Sequence, residues 1–185
     1  MHKKTNVPLL YLIRHASPDW ERSDIRYDIP PGPALTARGE QEARDLGHFL
    51  SHAGVRKLYY SPLERSTRTA LIAAALARVP ALEKGELAEW RRDETEPEIH
   101  ARFWPLVQAS LEESARIGPL GLVTHGGPVA YLLKQFGMDP ERLASQRRQF
   151  DHANPLPPAG VWAARQDPGT GAWDLQLVFT PGEPK

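Results

Sequence analysis

Leu9-Leu10-Tyr11-Leu12-Ile13-Arg14-His15-Ala16 is the stretch by which the rest of the chain is placed. Five apolar residues without polar alternation read as a strand buried on both faces, the pattern of a parallel sheet. The run stops at Arg14. Arg14 and His15 are therefore expected at the carboxyl end of the strand, where open α/β sheets form their ligand crevices. The pair suits a phosphoryl group. A guanidinium holds phosphate oxygens with a rigid fork of donors, and a neutral imidazole nitrogen can attack phosphorus. The plainer alternative is an arginine and a histidine that end a strand in solvent.

Two other stretches repeat the arrangement. Lys57-Leu58-Tyr59-Tyr60 reads as a second strand. Ser61-Pro62-Leu63-Glu64 then reads as a capping box with proline at the first helical position, which puts Arg65 in the first turn of a helix running to about Val79. Pro119 to Thr124 reads as another strand and delivers His125-Gly126-Gly127-Pro128 to its carboxyl end. Pro128 suits the first helical position, with Val129, Leu132, Leu133 and Phe136 following at helical spacing and Gly137 closing the helix. Adjacent glycines before a helix leave backbone N–H groups open to an anion. Taken singly, Arg65 is a solvated surface arginine and His125 a strand-end histidine without a task. Three such strand ends at one edge of one sheet are not accounted for that way.

The intervening segments fill in the fold. Ser17 to Pro33, rich in proline, is a loop that leaves the crevice end of the first strand and lies over the site. Thr36 is an N-cap for a helix with Ala43, Leu46, Phe49, Leu50 and Ala53 on one face, ended by Gly54. Ala81 to Glu89 is a short third strand or an extended connection. Trp90 to Glu96 is a charged loop. Pro97 starts a helix carrying Ile99 and Phe103, and Pro105 is expected to kink it or to start a second helix that ends near Arg116. Asp139-Pro140 caps a short helix. Gly160–Arg165 and Ala172–Phe179 form a hairpin across Asp167-Pro168-Gly169-Thr170-Gly171 at the sheet margin. Pro181 to Lys185 reads as a frayed end.

The 185 residues suit one domain over 1–185. Lys and Arg together number 23, as do Asp and Glu. A chain without a basic surplus gives no support to nucleic-acid or anionic-membrane binding, so any anion site is local. There is no cysteine, hence no disulfide and no thiolate chemistry, which fits a reducing cytoplasm. Met1-His2-Lys3-Lys4 is basic, but the apolar run after it is too short for a signal peptide. Among the seven histidines there is no His-x-x-His or His-Glu-x-x-His spacing, and no phosphate-binding Gly-x-x-x-x-Gly-Lys-Ser/Thr is present. The composition leaves the oligomeric state open.

Together these residues carry a resemblance. Arg14-His15 after a buried strand, Leu35-Thr36-x-x-Gly39, Ser61-Pro62-Leu63-x-Arg65-Ser66-x-x-Thr69-Ala70, Leu87-x-Glu89 and Thr124-His125-Gly126-Gly127 resemble the histidine phosphatase superfamily, also called phosphoglycerate mutase-like, in order from about Leu9 to Phe136. The resemblance implies a three-layer α/β/α sandwich with a mostly parallel sheet. It implies a phosphohistidine mechanism without metal or other cofactor. By position, His15 is the nucleophile, Arg14, Arg65 and His125 complete the phosphate pocket, and Glu89 is the proton donor. Gly126 belongs to the substrate-binding set. The chain departs from the pattern at Ala16, where glycine is common, and at Pro18 and Glu21, which replace a threonine and a phosphate-binding asparagine. Ser17 is the substitute hydroxyl. Glu89 is followed by Trp90-Arg91-Arg92 rather than the run found in glycolytic mutases.

The same assignment has physical support. Phosphoryl transfer needs cationic donors around three equatorial oxygens. Neighbouring cations disfavour protonation of His15, and a carboxyl beside bound phosphate is pushed towards its protonated form, as a general acid requires. Glu86, Glu94 and Glu96 lie in the same segment as Glu89 and are alternative acids. The expected activity is a phosphomonoester phosphatase on a phosphorylated small molecule, with a phosphoprotein as second choice. A phosphoglycerate-type mutase, a phosphohistidine phosphatase and a non-catalytic phosphate-binding module are the rivals. A mutase needs an enclosing lid. The interval from Glu89 to His125 leaves only about Trp90 to Glu96 as cover, to which Tyr27 to Pro33 adds, so water is the expected acceptor. Arg91 and Arg92 are candidates for an anionic part of the substrate, or plain surface arginines.

Overall fold

In the computed structural model, residues 6–182 are described; the basic start and Glu183 to Lys185 of the expected frayed end lie outside them. The apolar run forms β1 (Leu9–Arg14), and its side chains divide between two cores. Leu10 and Leu12 point into one, Tyr11 and Ile13 into the other. That two-faced burial puts β1 inside a six-stranded sheet of order β3-β2-β4-β1-β5-β6. Here β2 is Lys57–Tyr60, β3 Ala81–Glu83, β4 Leu120–Thr124, β5 Val161–Gln166 and β6 Trp173–Phe179. β1, β2, β3 and β4 run parallel, and the β5–β6 hairpin joins antiparallel beside β1.

Helices α1 (Ala37–His52) and α2 (Glu64–Ala77) cover one face, with Ala43, Leu46, Leu50, Ala70 and Ala73 in its core. Helices α3 (Glu96–Ile117) and α4 (Gly126–Gln135) cover the other with Ile99, Phe103, Val107, Val129 and Leu132. The architecture is the three-layer α/β/α sandwich read from the sequence. A short α5 (Pro140–Arg147) follows, capped by Asp139, which accepts from the Arg142 N–H at 2.9 Å. Thr36 caps α1 as expected, accepting from the Gly39 N–H at 3.0 Å. Among the described residues no helix is long and apolar enough to cross a membrane.

Four local expectations are corrected. Ser61 does not cap α2; the helix starts at Glu64 without a side-chain cap, because the Ser61 hydroxyl is taken up by His125. α2 stops at Ala77, where Arg78 turns left-handed at φ 57. Pro105 neither kinks off nor restarts a helix. It lies inside α3, which is set at its start by Glu98 accepting from the Thr95 N–H at 2.8 Å. A proline there removes one backbone bond, and Phe103, Leu106, Val107 and Leu111, buried on both sides of it, keep the turn in place. Finally, α4 begins at Gly126, so Pro128 stands in its first turn rather than at its first position. The ambiguous Ala81 to Glu89 resolves into the three-residue edge strand β3 and a 3₁₀ turn, Gly85–Leu87, which leads to Glu89.

Candidate active site

The parallel strands β1, β2 and β4 end at one edge of the sheet, and this brings Arg14, His15, Arg65, Glu89 and His125 together. All five are buried; His15, Arg65 and His125 are wholly inaccessible. Five ionisable groups removed from water in one place are costly unless each finds partners or changes its protonation.

His15 follows β1. Its Nδ1 lies 2.8 Å from the Ala16 carbonyl, and its Nε2 lies 3.1 Å from the Arg65 Nε. A carbonyl only accepts and a guanidinium only donates, so Nδ1 carries the proton and Nε2 the lone pair. Burial, then the charges of Arg65 and Arg14, hold the imidazole well below its usual pKa. The ring is a neutral base with its lone pair fixed on Nε2. The Ala16 N–H is itself held by the Thr69 Oγ1 at 3.0 Å, which fixes the backbone behind the imidazole.

His125 is turned the opposite way round. Ser61 Oγ accepts from the Leu63 N–H at 3.3 Å and stands 2.8 Å from His125 Nε2, where its hydroxyl proton is free to be donated. Ser66 Oγ stands 3.4 Å from the same nitrogen. With Nε2 accepting from Ser61, the ring presents Nδ1–H to the site, where Nδ1 is buried without a hydrogen bond, 3.4 Å from Glu89 Oε2. Burial, then the Arg65 charge, keep His125 well below its usual pKa, so it is a neutral donor. The two imidazoles face each other with centroids 5.1 Å apart.

Arg14 is fully hidden, yet Asp151 grips it end-on, with Nη1 to Oδ1 at 2.6 Å and Nη2 to Oδ2 at 2.8 Å. Nη1 also donates to the Leu156 carbonyl at 3.1 Å. The side edge, at Nε, has no partner. That edge is the one left for an oxyanion. Arg65 likewise keeps Nη1 and Nη2 unpartnered beneath the surface. Buried donors without acceptors are rare in folded proteins, and here they converge on one place.

Of the four candidate glutamates in the segment after β3, only Glu89 faces these groups. Burial pushes its carboxyl up; the Arg65 charge, 3.5 Å away at Nη2, and the Trp90 N–H, 3.0 Å away, oppose this without overcoming it. Glu94 is drawn off by Arg102 at 2.6–2.7 Å; burial raises its carboxyl, and the Arg102 hydrogen bonds and charge more than reverse the shift. Glu96 pairs with Lys134 at 2.9 Å on the surface, and Glu86 is exposed.

Two sequence-predicted binding residues are placed elsewhere. Ser17 turns from the site: its hydroxyl and its N–H both donate to Glu42, at 2.9 and 2.8 Å. The buried Glu42 carboxylate on α1 needs donors and captures both. Gly126 is covered by Asn154, whose Oδ1 would lie 1.7 Å from a Cβ at that position, so only glycine fits. It is Gly127 that lines the cavity. Asp151, Ser61 and Asn154 are the site residues that sequence reasoning missed. Ser61 and Ser66 stand in the quoted motif, which was their signal; nothing near Asp151 in sequence pointed to Arg14.

Outside the floor is a cavity of ≈ 1090 Å³ lined by Arg14, Glu89, Gly127 and Asn154 below and by Trp20, Tyr27, Trp90 and Arg92 above. As read from the sequence, the loop after β1 lies over the site. Its part from Asp19 to Pro33 forms more of the roof than Trp90 to Glu96, which was expected as the main cover, and Tyr27 lies directly on Arg65 with the guanidinium carbon 3.9 Å from the ring centroid. Enclosure is therefore greater than the sequence reading allowed.

A sheet edge with a neutral histidine, two arginines and a raised carboxyl defines a site suited to phosphoryl transfer. The family model described as histidine phosphatase superfamily (branch 1) matches residues 10–103. This chain belongs to the histidine phosphatase superfamily. It is 32% identical over 81 residues to an uncharacterized phosphatase PhoE of Bacillus subtilis (strain 168), covering 42% of this chain and 40% of that protein. It is 29% identical over 155 residues to a 2,3-bisphosphoglycerate-dependent phosphoglycerate mutase of Chlamydia muridarum, covering 80% of this chain and 64% of that one. The chain thus matches less than two thirds of the length of either relative. In fold it is similar to a phosphoglycerate mutase from Bacillus anthracis, with a TM-score of 0.75 at 15% identity over 95% of this chain and 94% of that one. It is also similar to a mycobacterial glucosyl-3-phosphoglycerate phosphatase, at 0.72 and 17% over 93% and 98%.

Proposed function

We propose that the chain is a phosphomonoester phosphatase that works through phospho-His15. The observation that carries this is the fixed tautomer of His15, with Nδ1–H on the Ala16 carbonyl and the Nε2 lone pair facing Arg65. A phosphate binds on the free edges of Arg14 and Arg65 and on the Nδ1–H of His125. As the Arg65 Nε–H passes from His15 Nε2 to a phosphate oxygen, the freed Nε2 lone pair attacks phosphorus, the ester oxygen leaves with the Glu89 proton, and water then cleaves the P–N bond to give inorganic phosphate. In the second step the Glu89 carboxylate takes a proton from that water. The relatives' names include phosphatases and mutases, which supports phosphoryl chemistry on a phosphorylated molecule.

The positive charge that phosphoryl transfer needs comes from the arginines and the imidazole N–H, so we assign no metal a role. Full activity is expected to survive a chelating agent. Loss of activity in EDTA that a divalent metal restores would overturn that part.

Hydrolysis rather than mutase chemistry is supported by the cavity wall. Arg22 is forked onto Asp24 at 2.8 and 2.9 Å, and Arg26 onto Asp28 at 3.2 and 2.8 Å. The carboxylate of a phosphoglycerate would meet two arginines that are already paired, and only Arg92 of the upper wall stands outside these forks. The test compares hydrolysis of general phosphomonoesters and 3-phosphoglycerate with isomerisation of 3- to 2-phosphoglycerate, 2,3-bisphosphoglycerate being supplied. Hydrolysis is expected to be faster. Isomerisation outpacing every hydrolysis would show that the roof keeps water from the phosphoenzyme, and the mutase reading would stand instead.

A further inference from the structure

Tyr27 is the roof residue that this chemistry leaves without a task. Its ring lies on the Arg65 guanidinium at 3.9 Å. Trp20 stacks behind it at 4.9 Å, and His152 follows Trp20 at 5.1 Å, so a column of rings runs from the catalytic floor to the outside. The Tyr27 hydroxyl faces Glu89. Burial, then the Glu89 charge, push the phenol up, and it remains a neutral O–H. The ring thus rests on the face of Arg65, while the edge nitrogens Nη1 and Nη2 make no hydrogen bond, Nη2 lying 3.5 Å from Glu89 Oε2. Face and edge of a guanidinium bind different things: a flat ring on the face, oxyanions along the edge.

The segment carrying Tyr27 is tied down at its ends. Asp19 N–H donates to the Ala34 carbonyl at 2.8 Å, and the Pro31 carbonyl accepts from the Glu64 N–H at 2.8 Å. Between them, Ser23 and Ile25 donate only to Glu21 and Arg22 of the same segment. Next to the Pro31 anchor, Gly32 takes φ +68, and a Cβ there would come 2.8 Å from Arg65 Nη1. The ends are pinned against the floor and the middle is held by stacked rings, so Tyr27 can be exchanged for another ring without breaking the sheet.

We propose that the place of the Tyr27 ring on Arg65 is the seat of the substrate's leaving group. The site then takes monoesters of flat, phenol-like alcohols, as in phosphotyrosine or a small aryl phosphate. This rests on the phosphatase reading above. The incoming ring replaces Tyr27 on the guanidinium face, and its ester oxygen comes to the place near Glu89 that the phenol now holds. The P–O bond breaks as P–Nε2 forms, and the aryl oxygen takes the Glu89 proton. A second anionic group on the substrate gains little from Arg22 and Arg26, which Asp24 and Asp28 already hold.

The test separates ring binding from leaving-group chemistry by using phosphonates, which are not hydrolysed. In Tyr27→Ala, which vacates the seat, calorimetry should find benzylphosphonate bound on the order of tenfold more tightly than ethylphosphonate, the size of a desolvated cation–π contact. In the wild type, where the incoming ring must displace Tyr27 and lose that contact as it gains its own, benzylphosphonate should bind more weakly than in Tyr27→Ala; Tyr27→Leu, which fills the seat without a ring, should not tighten it. Equal binding of the two phosphonates in Tyr27→Ala, or benzylphosphonate binding no tighter there than in the wild type, would overturn the proposal and leave the phosphatase reading intact. Failure to hydrolyse any phosphomonoester would be the failure of that reading instead. Turnover of phenyl phosphate beside a phosphotyrosyl peptide distinguishes a small-molecule source from a protein one.

Discussion

His15→Ala is expected to lower turnover by on the order of 10⁴–10⁶-fold, the scale seen when a covalent nucleophile is removed from an intact site. No other group in the floor can replace it. His125 Nε2 is turned to Ser61 and Ser66, and its Nδ1 faces the Glu89 carboxyl at 3.4 Å. Arg14 and Arg65 are donors only. Rapid quenching without acid, with a labelled substrate, should trap an alkali-stable phosphoramidate on His15 in the wild type and none in the variant. Full activity in His15→Ala would sink the covalent mechanism. The pH dependence follows from the same geometry. Because burial and two arginines depress the imidazole, protonation of Nε2 begins only well below pH 6.5. Phosphoenzyme formation should hold constant as pH falls through that value and decline only at lower pH.

Glu89→Gln is expected to cost about 10²–10⁴-fold on esters with poor leaving groups and far less on an activated aryl phosphate. An alkoxide must be protonated as it departs; a nitrophenolate need not be. An equal loss on both would make Glu89 a binding or structural residue. Glu94→Gln should not show the leaving-group dependence, because that carboxylate is held by Arg102. The sign of the pH effect is fixed by burial. It raises the Glu89 carboxyl, so the protonated acid persists above the ordinary carboxylate range. Turnover of poor leaving groups should fall as pH rises through that raised value. This alkaline limb should vanish in Glu89→Gln.

Local chemistry made much of this protein readable in advance. The five apolar residues of β1 have to be buried on both faces, so the two-layered core followed from them. Thr36 and Asp139 offer side-chain oxygens to orphan helix N–H groups, and both caps form as read. Asp167 accepts from the N–H groups of Gly169 and Thr170 at 2.8 Å, closing the predicted hairpin turn from within it. Each of these signals acts over a few residues, where covalent connection already supplies proximity.

What the chain could not show is which polar group takes which partner once distant segments meet. Ser61 had an oxygen suited to cap α2 and also to hold a histidine; strand β4, beside β2, brought His125 within reach and decided for the histidine. Ser17 had a hydroxyl suited to phosphate, and the buried Glu42 took it. Asp151 is 137 residues from Arg14, and only β5 returning antiparallel beside β1 brings the two together. The residue types and their strand-end positions were set by sequence, because burial and helix capping are local demands. The tautomers, the raised acid and the ring on Arg65 were set by tertiary structure, because a buried donor or acceptor is satisfied by whatever the packing places within hydrogen-bond reach.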